Sequence, residues 1–248
     1  MQYLILDVET TGLPDFKKPA DAPGQPRVCG VGLIHLDGNF DVEKKQAFII
    51  KPNGWVIDPN SEATKVHGIT QERAEAEGVD MREVARIYGD AIDERRIIVG
   101  FNVAFDLKLM RAELRFCGYP DRYLQTRHIC TMQGCRQIVD ARGVNGQKKA
   151  PRLEEACAHF GIDQGAGAHT GLGDAESAYE ILLRLRDAGA VPEFVDPYDK
   201  TSGPKKAHRA HLDKKARPQG REYEQMVLDE QALTSQPDFL RGASEDGK

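Results

Sequence analysis

Near its N-terminus the chain runs from an apolar stretch straight into acid: Tyr3-Leu4-Ile5-Leu6 is followed at once by Asp7-Val8-Glu9. In an extended chain, residues two apart point to the same face, so Asp7 and Glu9 project together from the end of a core strand. Adjacent carboxylates repel, and burial sharpens the repulsion until a proton or a cation intervenes. Oxygen-only ligands favour a hard ion such as Mg²⁺ or Mn²⁺. An isolated Asp-x-Glu pair is most often just an acidic strand end in water. The apolar run leading into this one makes it part of the core.

Further short apolar or alternating stretches, Val28 to Leu36 and Gln46 to Lys51, are separated by turn signals such as Asp37-Gly38-Asn39 and predict a strand meander after Gln2 to Leu6. A Pro-rich loop, Leu13 to Arg27, lies between the first two. Ile97 to Phe101 reads as a buried strand. The helix after it, Val103 to Phe116, has Leu107, Met110 and Leu114 at helical spacing and Asn102 as its N-cap. A strand around Arg127 to Thr131 and helices over Leu153 to Phe160 and Asp174 to about Ala188 complete the pattern. Strands first in a meander, then alternating with helices, predict an α/β domain with a mixed sheet covered by helices. Periodicity fades after Pro192, and Lys200 to Arg221 holds eight basic residues against Asp213 alone. The expected division is a domain over 1–195 and a basic linker and tail over 196–248, poorly ordered by composition.

The 248 residues contain no apolar run near the ~18–20 that a membrane span needs, so no membrane partner is expected. The N-terminus lacks the basic start of a secretory signal, which predicts a cytoplasmic location. Five cysteines, with Cys130 and Cys135 lacking a second pair, point to reduced thiols rather than disulfides or zinc. The formal charge of −5 belongs to the main domain, because basic and acidic side chains balance in residues 196–248.

Two more segments could supply a site with partners. Gly100-Phe101-Asn102-Val103-Ala104-Phe105-Asp106 places an Asp in the first helical turn after a strand, and His169-Thr170-Gly171-Leu172-Gly173-Asp174 places one at the start of the last helix. Singly, each Asp could merely favour a helix N-terminus.

Together, Asp7-x-Glu9-Thr10-Thr11-Gly12-Leu13, Asn102-x-x-Phe105-Asp106 and His169-x-x-x-x-Asp174-Ala175 resemble the DEDDh family of 3′–5′ exonucleases, over about residues 1–190. The resemblance implies a ribonuclease-H-like five-stranded sheet flanked by helices, three strands antiparallel and two added in parallel. It also implies two Mg²⁺ or Mn²⁺ ions: Asp7 would bridge them, Glu9 and Asp174 would complete one site, and Asp106 would support the other. His169 would be the general base, a task imidazole suits near neutral pH. Thr10, Thr11, Gly12 and Leu13 would approach the terminal base and sugar, with Asn102 and Phe105 beside them. Glu62-Ala63-Thr64-Lys65-Val66-His67 is similar to the family's substrate-contacting stretch, so Glu62 and His67 would lie near the 3′-terminal nucleotide. Gly171 and Gly173, where relatives carry bulkier residues, are expected to loosen the His169 loop.

The implied activity is release of nucleoside 5′-monophosphates from DNA 3′ ends, single-stranded or frayed, in proofreading or repair. The alternatives are the same chemistry on RNA and a non-catalytic, polymerase-tethered module. Lys17, Lys18, Arg27, Arg142, Lys148, Lys149 and Arg152 are candidate phosphate contacts. Gln236-Pro237-Asp238-Phe239-Leu240 faintly resembles peptides that dock on sliding clamps.

Overall fold

The first apolar run, buried on both faces at Leu4, Ile5 and Leu6, builds β1 (Tyr3–Thr10), and β2 (Val28–Leu36) and β3 (Val42–Ile49) follow it in antiparallel register. In the computed structural model residues 1–197 are described. The basic stretch Lys200 to Arg221 and the Gln236 to Leu240 peptide lie outside them. After β3 come three helices, α1 (Glu62–His67), α2 (Gln71–Glu77) and α3 (Met81–Asp93). Then β4 (Ile97–Gly100) leads to α4 (Ala104–Phe116), and β5 (His128–Cys130) to α5 (Thr131–Ile138). Helices α6 (Leu153–Phe160) and α7 (Gly171–Asp187) close the series. The sheet order is β3-β2-β1-β4-β5, with β4 and β5 parallel to β1, which is the mixed five-stranded sheet of a ribonuclease-H-like fold.

The two faces of β1 serve different layers. Leu4, Leu6 and Val8 pack with Val84 and Tyr88 of α3 and with Leu107 and Met110 of α4. Ile5 faces the other way, onto Ala175, Ala178 and Leu182 of α7. Asp7 and Glu9 share the parity of Ile5, so the side of the sheet that meets α7 is where they emerge.

Some boundaries move. Strand β1 continues through the acidic residues to Thr10, because Asp7 and Glu9 still have register partners on β2 in Gly32 and Gly30. Helix α7 begins at Gly171, three residues before the expected start, because Thr170 caps it by accepting the Gly173 N–H at 3.1 Å. Asn102 does not cap α4: it adopts φ 62°, in the left-handed region, and Val103 stands at the helix start without a side-chain cap. The Pro-rich loop is fastened to α4. Lys108 Nζ donates to the Lys18 carbonyl at 2.6 Å, and Arg115 pairs with Asp21 at 2.6 Å.

All five cysteines are free thiols. Past α7 the chain returns to the sheet, where His128 and Val195 exchange backbone hydrogen bonds of 3.0 and 2.7 Å at the edge of β5. Among the described residues, no helix is long and apolar enough to cross a membrane.

Candidate active site

Asp7 and Glu9 meet Asp174 because two glycines let a helix end lie against a strand. A Cβ at Gly32, opposite Asp7, would fall 2.1 Å from the Gly171 carbonyl oxygen, and one at Gly171 would fall 2.8 Å from the Gly32 nitrogen. Only glycine fits at either position. One turn of α7 then carries Asp174 over the acidic end of β1. Gly173 is similarly pressed on Gly167, whose carbonyl oxygen lies 1.9 Å from where a Cβ would stand. The expected loosening of the His169 loop is therefore overturned: the glycines mark tight backbone packing, not slack.

Asp7, Glu9 and Asp174 each present a carboxylate oxygen within 4.8 Å of the others. The fourth carboxylate arrives from the opposite layer. Strand β4 pairs with β1 only as far as Ile5 and Val99, and beyond that point the Val8 N–H donates to Asp106 Oδ1 at 3.1 Å. Asp106 is 2% exposed.

Burial and mutual repulsion set the protonation. Asp7 is raised well above the usual carboxylate range by burial and then by Asp106, Asp174 and Glu9. Glu9 is pushed up to about 7 by burial and by Asp174. Burial also raises Asp106 well above its ordinary value, against the opposing hydrogen bond from Val8. Asp174 is raised by burial, with the His169 N–H and imidazole pulling the other way. Converging carboxylates that resist ionisation in isolation suit a divalent cation, and an all-oxygen donor set selects a hard one. The residues present therefore fit Mg²⁺ or Mn²⁺, with Asp7, Glu9 and Asp174 as ligands and Asp106 facing them from α4.

These carboxylates open onto a cleft of about 620 Å³. Thr10, Thr11, Gly12 and Leu13 form one wall. Thr10 Oγ1 donates to the Gly12 carbonyl at 2.7 Å, while Leu13 is 88% exposed. Glu62 and His67 of α1 form another, and Asn102 and Phe105 a third. Glu62 is exposed and paired with Lys65 at 2.6 Å. His67 is buried: Nδ1 accepts the Ile69 N–H at 3.0 Å, Nε2 lies 3.6 Å from Cys29 Sγ, and burial lowers its pKa. A neutral ring locked at both nitrogens braces the end of β1. Phe105 also packs on the core, so it serves both wall and interior.

His169 stands apart from the cleft wall. It is exposed, at φ 60°, and its backbone N–H reaches Asp174 Oδ1 at 3.3 Å. Among the candidate phosphate contacts, Arg27 is forked onto Glu113, and Arg142, Lys149 and Arg152 pair with Asp140, Glu155 and Glu154.

Sequence reasoning missed Gly30 and Gly32. Two glycines two apart on one face of an otherwise apolar strand are the signal, since interior strand glycines mark close backbone approach.

The family described as Exonuclease, RNase T, matches residues 4–182. No curated protein matches the chain significantly. Among solved structures, E. coli Exonuclease I in complex with a dT13 oligonucleotide superposes with a TM-score of 0.60 at 22% identity, covering 75% of this chain and 43% of that one. A product-bound exonuclease I gives 0.60 at 20%, covering 75% and 43%, and the apo form gives 0.60 at 21%, covering 75% and 42%. The chain thus spans less than half the length of the solved proteins it matches, and the likeness shows a shared fold. The family match reaches from the first strand to the last helix, across all four carboxylates and well over half of the chain: this protein belongs to the exonuclease family.

Proposed function

We propose that the protein is a metal-dependent 3′–5′ exonuclease that shortens DNA from its 3′ end, releasing nucleoside 5′-monophosphates during proofreading or repair. The observation that carries this reading is the buried carboxylate group, with oxygens of Asp7, Glu9 and Asp174 within 4.8 Å of one another beside Asp106. Phosphodiester hydrolysis needs a nucleophile near neutral pH and charge stabilisation on both the attacking and the leaving oxygen, which a pair of divalent cations supplies when bound. When cations are bound, Asp7 would serve both, Glu9 and Asp174 would serve one, and Asp106 would support the other. His169 accepts the proton of the attacking water at an imidazole nitrogen, on a loop tethered to Asp174. Thr10 to Leu13 hold the terminal sugar and base against Phe105, and Asn102 lies beside them. DNA is favoured over RNA because the solved proteins of this fold are described with dT13 and dA16 oligonucleotides bound.

The test is a product ladder. Purified protein with Mg²⁺ acts on 5′-labelled single-stranded DNA, mismatched duplex and RNA, and stepwise shortening from the 3′ end, fastest on DNA, is expected. Absence of shortening with both Mg²⁺ and Mn²⁺, or shortening from the 5′ end, overturns the proposal. A faster ladder on RNA overturns the choice of DNA.

A further inference from the structure

Beside the end of β1, outside the carboxylate cleft, lies a second concavity of about 460 Å³. Its floor contains the buried apolar residues Ile50 and Met81. Two aromatic rings line it around one guanidinium: Arg27 Cζ is 5.3 Å from the centroid of Trp55 and 4.2 Å from that of Phe116. The guanidinium is held rigidly, because Arg27 donates to both oxygens of Glu113 at 2.9 and 2.8 Å. Glu113 is 1% exposed and also accepts the Val28 N–H at 3.0 Å. A buried carboxylate thus fixes the plane against which both rings rest. Phe116, the last residue of α4, nevertheless remains 45% exposed at the mouth.

The rim is basic and accessible. Lys51 is exposed, and among the described residues Arg82 pairs with Asp80 at 3.4 Å, with both side chains more than half exposed. Such a surface pair contributes little and exchanges readily for a phosphate. The place is also significant. The Thr11 N–H donates to the Arg27 carbonyl at 2.9 Å and Thr11 Oγ1 accepts the Arg27 N–H at 3.0 Å, so the groove begins where the Thr10 to Leu13 wall of the cleft ends.

Ring faces beside a line of cations are what a single strand of nucleic acid uses, its bases stacking on aromatics and its phosphates on Lys or Arg. We propose that this groove holds a base of the substrate strand 5′ of the nucleotide under cleavage, stacked on Trp55 and Phe116, with Lys51 and Arg82 facing its phosphates. The assignment of this base to the 5′ side rests on the exonuclease reading above; the stacking itself does not.

Trp55 is the chain's single tryptophan, so its fluorescence reports on this groove alone. The full-length Asp7→Asn protein in Mg²⁺ is titrated with an oligothymidylate of about eight nucleotides and with thymidine 5′-monophosphate. Saturable quenching by the octamer, and little by the mononucleotide that fills only the cleft, is expected. Phe116→Ala should weaken octamer binding about five- to a hundredfold. Lys51→Gln should reduce the slope of log affinity against log salt by about 0.7. An octamer that binds by anisotropy without changing Trp55 emission, or that fails to bind, overturns the proposal. Equal quenching by the mononucleotide does the same. Quenching that Phe116→Ala weakens, in a protein whose unsubstituted form leaves 3′ ends intact, supports the groove while removing the exonuclease reading. A normal 3′ ladder with unresponsive Trp55 does the reverse.

Discussion

A carboxylate kept from water among other carboxylates has two stable conditions, protonated or cation-bound, and Asp7, raised by burial and by Asp106, Asp174 and Glu9, faces that choice. Asp7→Asn removes one charge from the group while keeping its shape. It should abolish nearly all hydrolysis, raise the melting temperature of the chelated protein, and shrink the rise that Mg²⁺ produces in the parent, since a ligand stabilises only the folded state that binds it. Thermal melts with and without chelator check all three. An Asp7→Asn protein with parental turnover contradicts the assigned role. At His169 the geometry leaves the imidazole out in solvent and ties only its backbone to Asp174. His169→Ala should therefore keep the Mg²⁺-induced stabilisation and lose about 10²–10⁴-fold in kcat, the usual size of general base catalysis. Unchanged kcat would transfer that role to another group, and His67, locked between Ile69 and Cys29, is poorly placed to inherit it.

At the scale of elements, the contact between β2 and the start of α7 decides whether the site exists. Gly32→Ala forces the Gly171 peptide away from the strand and moves Asp174 with it. The expected result is a protein destabilised by about 1–3 kcal/mol, with weakened Mg²⁺ binding and most activity lost. Denaturant melts and Mg²⁺ titration measure the two effects separately. The three acidic motifs were legible because each is local: an apolar strand running into Asp7 and Glu9, and helix starts bearing Asp106 and Asp174. What joined them was not, since the fit of Gly32 against Gly171 is a contact between segments distant along the chain. Asn102 read as a cap because its residue type suits one, whereas the turn from β4 into α4 needs a left-handed residue there. Helices α1 and α2 are short and mostly exposed, so they carry almost no apolar period, and α3 went unpredicted with them although Val84, Tyr88 and Ile92 stand at four-residue spacing. The Pro-rich loop is held from within by Gln25, which donates to the Asp15 and Pro19 carbonyls, and from outside by Lys108 and Arg115, about ninety residues away, whose part no local pattern announces.

For the whole molecule the raised carboxylates tie stability to pH and metal together. Glu9 lies at about 7 when folded against ~4.3 for an unperturbed Glu, and Asp7 is also raised, so the folded chain binds protons that the unfolded chain releases. The contribution of these two carboxylates to the stability of the chelated protein is therefore fully present below about pH 4 and is lost as pH climbs through 7. Between pH 5.5 and 8 the expected loss is about 1–3 kcal/mol. Mg²⁺ should reverse it, because ionised ligands bind the cation. Melts at both pH values, with and without Mg²⁺, give the sign, and a chelated protein more stable at pH 8 refutes the account. The sheet has a second collective property, set by its two borders. Strand β3 meets solvent with Glu43, Lys44 and Lys45, charges that discourage a further strand from adding. Strand β5 carries no such charges in its three residues, and its border is closed instead by Val195, which takes both backbone groups of His128. A chain ending at Gly189 would bare that edge, and light scattering should find it self-associating at concentrations where the full chain stays monodisperse. The short return after α7 acts as a stopper against sheet-to-sheet aggregation, a guard against copies of the protein rather than a part of its chemistry.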